Sequence, residues 1–555
     1  MKLTPIQYGL ILLNLCYMVY STFYMIIADC DETFNYWEPL NLLLRGFGKQ
    51  TWECSPEFSI RSYAYLIPYY VIGRPVLSLV NSPDQIFYII RLIGLCGFTS
   101  FCEIKLFIKL SQYSTNLANW WLLFNTIAPG MSHARVALLP SSLAMQTTML
   151  AMVNIIDWTK TKQQSSLVNV VFWYFVGGLL GWPFALALGI PVGCYIIFEI
   201  LRTNIKFTIL IHCMVALTSI VVPIIIVDSI FYQKLGAFIP ANIVLYNVFG
   251  GEGEGPEIFG VEPLSYYLFN LALNFHIIFP LAVLGLIINP IVTQVKPIAW
   301  FTSSQLIIWS GVFFTQPHKE ERFLYPIYSL ITLSAAIIIS KLFNVLKGYT
   351  KLYQLFKVGF IISIIIISNL RIVNLVNNYA APLTTFATMA HQPTSDSIKN
   401  VCMGKEWYHF PTSLFLADNH RLRFVDSGFD GLLPGDFHES GSIIDSTTFI
   451  PLHMNNRNQF ESDKIIPLDQ CDYFIDNSQL ESTPQLITPD LTLVDPENWE
   501  ILSCTKILNP NGNHNPIAKL IYIPQFLRKF IPYNIEYMDL CALKRIENIN
   551  RTANV

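Results

Sequence analysis

The chain has 555 residues, of which 53% are hydrophobic and only 13% are charged, and its mean hydropathy is +0.44. Soluble domains average about 25% charged residues, so this composition excludes an ordinary soluble protein and indicates many apolar segments. The formal net charge of −3 is too small to indicate a nucleic-acid partner.

Apolar runs long enough to be membrane helices recur through the first two thirds of the chain. A membrane-spanning helix needs roughly 20 mainly apolar residues. We therefore predict a mainly α polytopic membrane protein with about eleven transmembrane helices. The runs are 7–28, 84–108, 116–132, 138–158, 167–181, 184–200, 207–229, 265–290, 297–315, 323–343 and 355–375.

The basic residues between these runs predict the orientation, because lysine and arginine favour the cytosolic side of a membrane. With a cytosolic N-terminus, the lysines around positions 105, 160, 296 and 347 fall on the cytosolic side. The loop after the first run, the loop around position 318 and the C-terminal third are then luminal. A further apolar run, 63–80, would invert the later loops if it spanned. It carries Arg74 and two prolines, so we predict a helix lying on the surface, within a first luminal loop of about 29–83.

The composition changes near residue 380, and residues 391–555 are rich in Asp, Asn, Pro and Ser. We predict a transmembrane region, 1–380, followed by a mixed α/β luminal domain, 381–555. The four cysteines of this second region suit two disulfides in an oxidising lumen, with three possible connectivities. They are Cys402, Cys471, Cys504 and Cys541. Asn550 begins a sequon for N-glycosylation.

Acidic and aromatic residues crowd the segment 29–38, directly after the first apolar run. Carboxylates beside a membrane are costly to bury and mark functional sites. Asp31 and Glu32 are adjacent and would point about 100° apart on a helix, so they need not share a role. We favour Asp31 as the general base that an inverting glycosyl transfer needs, with Glu32 as an orienting neighbour or as the base itself. The alternative interpretation is a helix cap with solvated charges.

Two further features of this segment bear on sugar and metal binding. Trp37 and Glu38 combine an aromatic face with a carboxylate, which suits binding of the acceptor sugar. Asp29 and Asp31 match the Asp-x-Asp motif of metal-dependent nucleotide-sugar enzymes, but that tripeptide is common by chance. We predict no metal site here.

A second polar cluster, 316–323, interrupts two apolar runs on the same predicted side of the membrane. Its cations are suited to binding a phosphate, arginine in a bidentate manner and lysine as a point charge. Its two glutamates could hold these cations or bind sugar hydroxyls. The alternative is a short loop whose charges pair with one another. The candidate phosphate ligands are His318, Lys319, Arg322 and, from the first loop, Arg61, and the candidate sugar ligands are Glu320 and Glu321.

These motifs resemble glycosyltransferase family 22, and shorter matches at 139–142 and 428–434 extend the resemblance over nearly the whole chain. The His-Lys-Glu-Glu-Arg string is specific, and its combination with the first-loop motif is more so. The segments that carry the resemblance are Asp31-Glu-Thr-Phe-Asn-Tyr-Trp-Glu-Pro39, Gln50-Thr-Trp-Glu-Cys-Ser-Pro56, Ile60-Arg-Ser-Tyr-Ala-Tyr-Leu66 and His318-Lys-Glu-Glu-Arg-Phe-Leu324.

The resemblance implies a GT-C fold in the endoplasmic reticulum membrane. It implies a lipid donor, dolichyl β-D-mannosyl phosphate, and a dolichyl-diphosphate-linked acceptor. The similar members add α-1,2-linked mannose to the Man6GlcNAc2 and Man8GlcNAc2 forms during assembly of the oligosaccharide for protein N-glycosylation. No metal cofactor is implied, because the leaving group is a monophosphate that protein cations can hold.

Other functions remain open on these residues. One is a different mannosyl transfer from the same donor, either an α-1,6 step or a step of GPI-anchor assembly. A lipid or sugar transporter is disfavoured, because transporters place polar residues near the membrane midplane and often repeat in halves. A non-catalytic subunit is disfavoured by the full set of charges in both loops.

Overall fold

The computed structural model of the protein describes residues 3–251, 253–292, 296–345, 350–439, 441–478 and 498–546. The sequon at Asn550 lies outside the described residues. The α-helices, in chain order, are α1 (Pro5–Tyr24), α2 (Cys30–Glu32), α3 (Glu38–Arg45), α4 (Tyr63–Val76), α5 (Asp84–Ile89), α6 (Gly97–Ser111), α7 (Thr115–Ile127), α8 (Pro129–Ala134), α9 (Pro140–Thr161), α10 (Gln164–Phe175), α11 (Ile190–Leu201), α12 (Ile209–Tyr232), α13 (Ile239–Phe249), α14 (Leu264–Phe275), α15 (Ile278–Val292), α16 (Lys296–Phe313), α17 (Tyr328–Val345), α18 (Thr350–Tyr379), α19 (Ala381–Ala390), α20 (Ile443–Thr448) and α21 (Pro516–Leu520).

Seven helical segments among the described residues are long and apolar enough to cross a membrane. The pair α14 and α15, bent by 109°, would form an eighth span if it crosses as one unit. These segments are Pro5–Tyr24, Asp84–Ser111, Gln164–Gly181, Pro183–Leu201, Ile209–Tyr232, Glu321–Asn344 and Tyr353–Tyr379.

All eleven predicted runs are helical over most of their length, but the count of eleven spans is not confirmed. The three runs that do not qualify correspond to α7, α9 and α16. α7 has only 13 residues. α9 is surrounded by protein and buries polar side chains such as Gln146, Thr147 and Thr148. A helix packed among other helices can carry such residues, because neighbouring protein rather than lipid contacts them.

The run 63–80, predicted to lie on the surface, forms α4, which at 14 residues is too short to cross a membrane. Asp228 of α12 holds its beginning, since its carboxylate accepts hydrogen bonds from the Ser62 hydroxyl (2.8 Å) and the Ala64 amide (3.1 Å). The position of α4 at a membrane surface stays a prediction.

Residues after the last helical span build a five-stranded mixed sheet with the strand order β3-β2-β5-β7-β6. β2 is parallel to β3 and β5, whereas β7 is antiparallel to β5 and β6. This sheet agrees with the predicted mixture of helix and strand, and the boundary at 380 and the luminal location stay predictions. The strands are β1 (Lys49–Gln50), β2 (Lys399–Met403), β3 (His420–Phe424), β4 (Gly435–Asp436), β5 (Tyr473–Ser478), β6 (Trp499–Leu508) and β7 (Tyr537–Arg545).

The C-terminal region is joined tightly to the loop after α1. β1 of that loop pairs with β4. The buried carboxylate of Glu38 accepts hydrogen bonds from the amides of Ser413 (2.6 Å) and Lys49 (2.8 Å), and from the hydroxyls of Ser413 (2.8 Å) and Thr412 (3.1 Å). One hydrophobic core runs from Phe34 through the helices to Ala542 of β7. The first loop and the C-terminal region therefore pack together as one structural unit.

Two disulfides lie in the C-terminal region, Cys402–Cys471 and Cys504–Cys541. They select one of the three connectivities that the sequence allows. Cys504 and Cys541 face each other directly in the register of β6 and β7.

We expect digestion of the unreduced, thiol-blocked protein to yield a peptide pair joining Cys402 to Cys471 and another joining Cys504 to Cys541. Cys504 and Cys541 are opposite each other in the register of β6 and β7, and the Cα atoms of Cys402 and Cys471 lie 5.8 Å apart. Mass spectrometry of the cross-linked peptides reads the pairing. A peptide linking Cys402 to Cys504 or Cys541 would contradict the arrangement of β2, β6 and β7. Reduction before digestion is the control, because it must release all four peptides.

Candidate active site

The first part of the site is the short helix α2 and the residue that caps it. The Asp29 carboxylate accepts a hydrogen bond from the Asp31 amide (2.9 Å), which is the usual role of aspartate at a helix start. Asp31 directs a partly exposed side chain, with about a third of its surface accessible, toward a cavity. Glu32 points the other way and is buried.

Arg322 meets these acids from the second polar cluster. Its guanidinium lies 2.5 Å from the Asp31 carboxylate and 3.2 Å from that of Asp29, and it also contacts Glu320. Arg61 approaches Asp31 from the other side at 3.6 Å. The two clusters predicted to lie on the same membrane face are therefore in direct contact, although nearly three hundred residues separate them.

Arg61 is held in place by a second carboxylate. Its guanidinium donates two hydrogen bonds to Glu53, at 2.9 and 2.8 Å, and one to the Tyr36 hydroxyl at 3.0 Å. The Asn35 side chain also donates to Glu53. Glu53 was not among the predicted site residues. The signal for it was present, because Trp52 and Glu53 repeat the pairing of an aromatic residue and an acid seen at Trp37 and Glu38.

His318 lines the cavity with both ring nitrogens facing acceptors. Nδ1 donates to the Gly260 carbonyl (2.7 Å), and Nε2 lies 3.1 Å from the Glu320 carboxylate. Burial lowers the pKa of His318, but its hydrogen bond and charge interaction with Glu320 outweigh burial and raise it. Burial alone would raise the pKa of Glu320, but the nearby Arg322 and His318 lower it to about 2.

Asp29 behaves differently from Glu320. The pKa of Asp29 is raised to about 7, mainly by burial and in part by the charges of Glu320 and Asp31, while Arg322 opposes the rise. Asp29 therefore exchanges a proton near neutral pH. Glu320, whose pKa is low, remains a charged partner of Arg322 at neutral pH.

Five predicted site residues lie outside the cavity lining. Glu32 accepts hydrogen bonds from the Trp37 indole (2.9 Å) and the Leu138 amide (2.9 Å), so it joins α2 to the segment before α9. Trp37 is fully buried and packs on Phe87. Glu38 binds the C-terminal region as described above. Of the predicted residues in this segment, Asp31 faces the cavity, whereas Glu32, Trp37 and Glu38 do not line it.

The remaining two belong to the second cluster. Lys319 donates to the carbonyls of Glu262 (2.8 Å), Pro317 (3.4 Å) and Gln316, so it stabilises its own loop. Glu321 is bound by His133 (2.5 Å) and, at longer distance, by Asn274 and Tyr328. Both side chains shape the loop that presents Arg322, and neither lines the cavity.

The cavity has a volume of about 880 Å³ and lies between the first loop, the ends of several helices and the C-terminal region. Five of the predicted site residues line it: Asp31, Arg61, His318, Glu320 and Arg322. The lining also contains two groups of aromatic side chains. Trp182, Phe184, Phe313 and Phe323 come from helix ends, whereas Phe34, Trp407 and Phe429 come from the first loop and the C-terminal region.

Asp29, Cys30 and Asp31 present potential ligand atoms within 4.8 Å of one another. Three such atoms are the minimum for a metal site, but the Arg322 guanidinium already lies against both carboxylates. A divalent cation bound there would have to displace or closely approach this fixed positive charge.

The sequence of this chain is similar to those of known mannosyltransferases. Residues 10–417 match the model of the Alg9-like mannosyltransferase family. The chain is 40% identical to the Alpha-1,2-mannosyltransferase ALG9 of Saccharomyces cerevisiae, over 97% of both chains. It is 34% identical to the mouse protein of the same name, over 91% of this chain and 84% of that one.

A solved structure shares the fold. It is ArnT from Cupriavidus metallidurans bound to undecaprenyl phosphate, which matches with a TM-score of 0.50 and 10% identity over 75% of this chain and 85% of that one. The likeness is one of fold, and it confirms the predicted GT-C glycosyltransferase fold.

The buried carboxyl of Asp29 predicts a pH dependence of stability. An unfolded aspartate loses its proton near pH 3.8, whereas Asp29 in the folded protein loses it near pH 7. Between these values the folded state binds more protons, so this group lowers stability as pH rises, by up to about 1.4 kcal/mol per pH unit. We expect the melting temperature of Asp29→Asn, relative to the unaltered protein, to increase from pH 5 to pH 7 and then level off.

Thermal unfolding in detergent at pH 5, 6, 7 and 8 measures this difference. Asp396→Asn is the matched control, because Asp396 is exposed. A difference for Asp29→Asn that stays constant across this range would show that Asp29 does not carry the proton.

Proposed function

Since the chain belongs to the Alg9-like mannosyltransferase family, we propose that this mannosyltransferase uses dolichyl β-D-mannosyl phosphate to add α-1,2-linked mannose to a dolichyl-diphosphate-linked oligosaccharide. The proposed acceptors are the Man6GlcNAc2 and Man8GlcNAc2 forms assembled for protein N-glycosylation. The observation that carries the proposal is the contact of Asp31 with Arg322 in one cavity. The α-1,2 linkage is supported by the names of the yeast and mouse relatives.

Asp31 is the proposed general base. It removes the proton from the acceptor hydroxyl while the hydroxyl oxygen bonds to C1 of the donor mannose. The bond from C1 to the phosphate oxygen breaks on the opposite face, and its electron pair leaves with dolichyl phosphate. This inverts a β-linked donor to an α-linked product. Asp31 suits the role because it is the carboxylate of the pair that faces the cavity.

Arg322 and His318 are proposed to stabilise the phosphate as it leaves. Arginine has five N–H donors in a planar fork, so it can bind phosphate oxygens while it retains a carboxylate partner. His318 is favoured as a cation by its raised pKa. Fixed donors directed at developing negative charge commonly supply a large part of catalysis. Arg61 adds positive potential near Asp31, with Glu53 fixing its position.

The lipid part of the donor is proposed to enter on the side of the cavity formed by helix ends. Trp182 stacks on Phe323 with ring centres 5.0 Å apart, and Phe313 packs 5.1 Å from Trp182. These rings give an apolar surface beside the charged centre. ArnT, which shares the fold, is bound to a polyprenyl phosphate, and this supports the same class of lipid here.

The proposed location is the endoplasmic reticulum membrane, with the N-terminus cytosolic and the site and C-terminal region luminal. The two disulfides support this orientation, because disulfides form and persist in oxidising compartments. The basic residues of the opposite loops support it independently.

Transfer by the purified protein tests the proposed function. In detergent, without a sealed compartment, we expect labelled mannose to move from dolichyl phosphate to the glycan lipid, and digestion with an α-1,2-mannosidase to release it. A transporter would give no covalent product under these conditions. An α-1,6-linked product would contradict the proposed linkage.

Replacing each of the two adjacent carboxylates with its amide shows which one is the general base. We expect Asp31→Asn to lower kcat by at least about a thousandfold, because the amide cannot take the proton. Glu32→Gln should keep kcat within about threefold, because its amide oxygen can still accept from Trp37 and Leu138. Gel filtration and melting temperature check that both variants fold. The opposite ranking of the two variants would assign the base to Glu32.

Metal independence is part of the proposal, with Arg322 in the role that a metal ion has in nucleotide-sugar enzymes. We expect prolonged treatment with EDTA to leave the transfer rate unchanged, and added Mg²⁺ or Mn²⁺ not to raise it. Loss of activity with EDTA that Mn²⁺ restores would indicate a metal bound at Asp29, Cys30 and Asp31.

A further inference from the structure

The two aromatic sides of the cavity differ in where their residues come from. Trp182, Phe184 and Phe323 lie at or next to the ends of helical segments long enough to cross a membrane, and Phe313 is the last residue of α16. Trp407 and Phe429 belong to the region after the last span, and the first loop adds Phe34. We name Trp407 and Phe429 the C-terminal aromatic surface; Phe34 is buried and packs against Trp407. A lipid chain is not expected there, because both Trp407 and Phe429 lie outside the membrane helices.

We propose that the C-terminal aromatic surface binds a hexose ring of the acceptor glycan, an inference that rests on the proposed function. The two rings connect through Phe34 to the segment that carries the proposed base. Phe34 follows Asp31 by three residues, and its ring centre is 5.8 Å from that of Trp407. The ring centre of Phe429 is 5.0 Å from that of Trp407. Asp31, Trp407 and Phe429 all line the same cavity.

The surrounding residues fix these rings rather than leaving them free. Next to Trp407, the Glu406 carboxylate is buried and accepts hydrogen bonds from His409 (2.5 Å) and from the Asn477 side chain. Phe429 lies over Gly431, where an added Cβ would come within 2.5 Å of the end of its ring. The glycine therefore gives the ring room to approach Trp407.

A polar group accompanies the rings, as sugar binding requires. Asn458 lines the cavity and has a left-handed backbone with φ of 52°. Its Oδ1 accepts a hydrogen bond from the Leu432 amide at 3.0 Å, so the carboxamide is fixed at the wall beside Phe429. Sugar rings offer apolar C–H faces and hydroxyl edges. Sites for such ligands combine aromatic surface with a few placed polar groups.

The same region explains how sugar recognition can occur without Trp37 and Glu38. Those two residues are buried and act within the protein. Trp407 and Phe429 are both partly exposed to the cavity. The acceptor surface is therefore supplied by the C-terminal region, and Glu38 holds that region against the first loop.

The test is the kinetics of Trp407→Leu, Trp407→Phe and Phe429→Leu, with dolichyl-diphosphate-linked Man6GlcNAc2 as the acceptor. We expect both leucine variants to raise the acceptor KM at least about tenfold while kcat and the donor KM stay within about threefold. Trp407→Phe should stay within about threefold of the unaltered acceptor KM, because it keeps an aromatic face. Acceptor binding without donor, followed by tryptophan fluorescence, should weaken in parallel in Phe429→Leu.

Tyr408→Leu is the matched control, because Tyr408 is a neighbouring, exposed ring that does not line the cavity. Its acceptor KM should not change. An unchanged acceptor KM in Trp407→Leu and Phe429→Leu, or equal values for Trp407→Leu and Trp407→Phe, would overturn the aromatic site. Failure of the unaltered protein to transfer mannose at all would instead refute the proposed function, and this inference with it.

Discussion

The ion pairs of Arg322 hold the site together. This mostly buried guanidinium contacts carboxylates from two segments, Asp29 and Asp31 after α1 and Glu320 before α17. The three carboxylates keep a fifth to a third of their side-chain surface exposed, so solvent screens these ion pairs in part. The first loop and the loop before α17 are therefore held together by charge at a place where helix packing alone leaves a cavity.

The same first loop is also held by hydrogen bonds to a carboxylate that has no cation among its donors. Glu38 receives four donors from Lys49, Thr412 and Ser413, which satisfies a buried carboxylate without any cation. Arg322 thus fixes the start of the loop to the helices, and Glu38 fixes its middle to the C-terminal region. The cavity between these two attachments needs both to keep its shape.

The sequence predicts the helices, because the length of an apolar run is a local property. It also predicts that the two polar clusters lie on the same side of the membrane, because the lysines between the runs indicate the orientation. It does not predict which acids face the cavity. Asp31 and Glu32 are neighbours, yet one lines the cavity and the other binds the Leu138 amide. That choice depends on a segment over a hundred residues away. The number of spans is hard to predict for the same reason, since α9 is surrounded by protein and carries polar residues that a lipid-facing helix would lack.

The balance of charge in the cavity bears on turnover in the proposed reaction. Its described lining contains six carboxylates, including Glu53, Glu254 and Glu257, against two arginines and one histidine. The donor is a phosphodiester with one negative charge, whereas the released phosphate monoester carries between one and two near neutral pH. A site with a surplus of cations would hold the more highly charged product most tightly. The surplus of carboxylates limits this effect, because it offsets the attraction of Arg322 for the product.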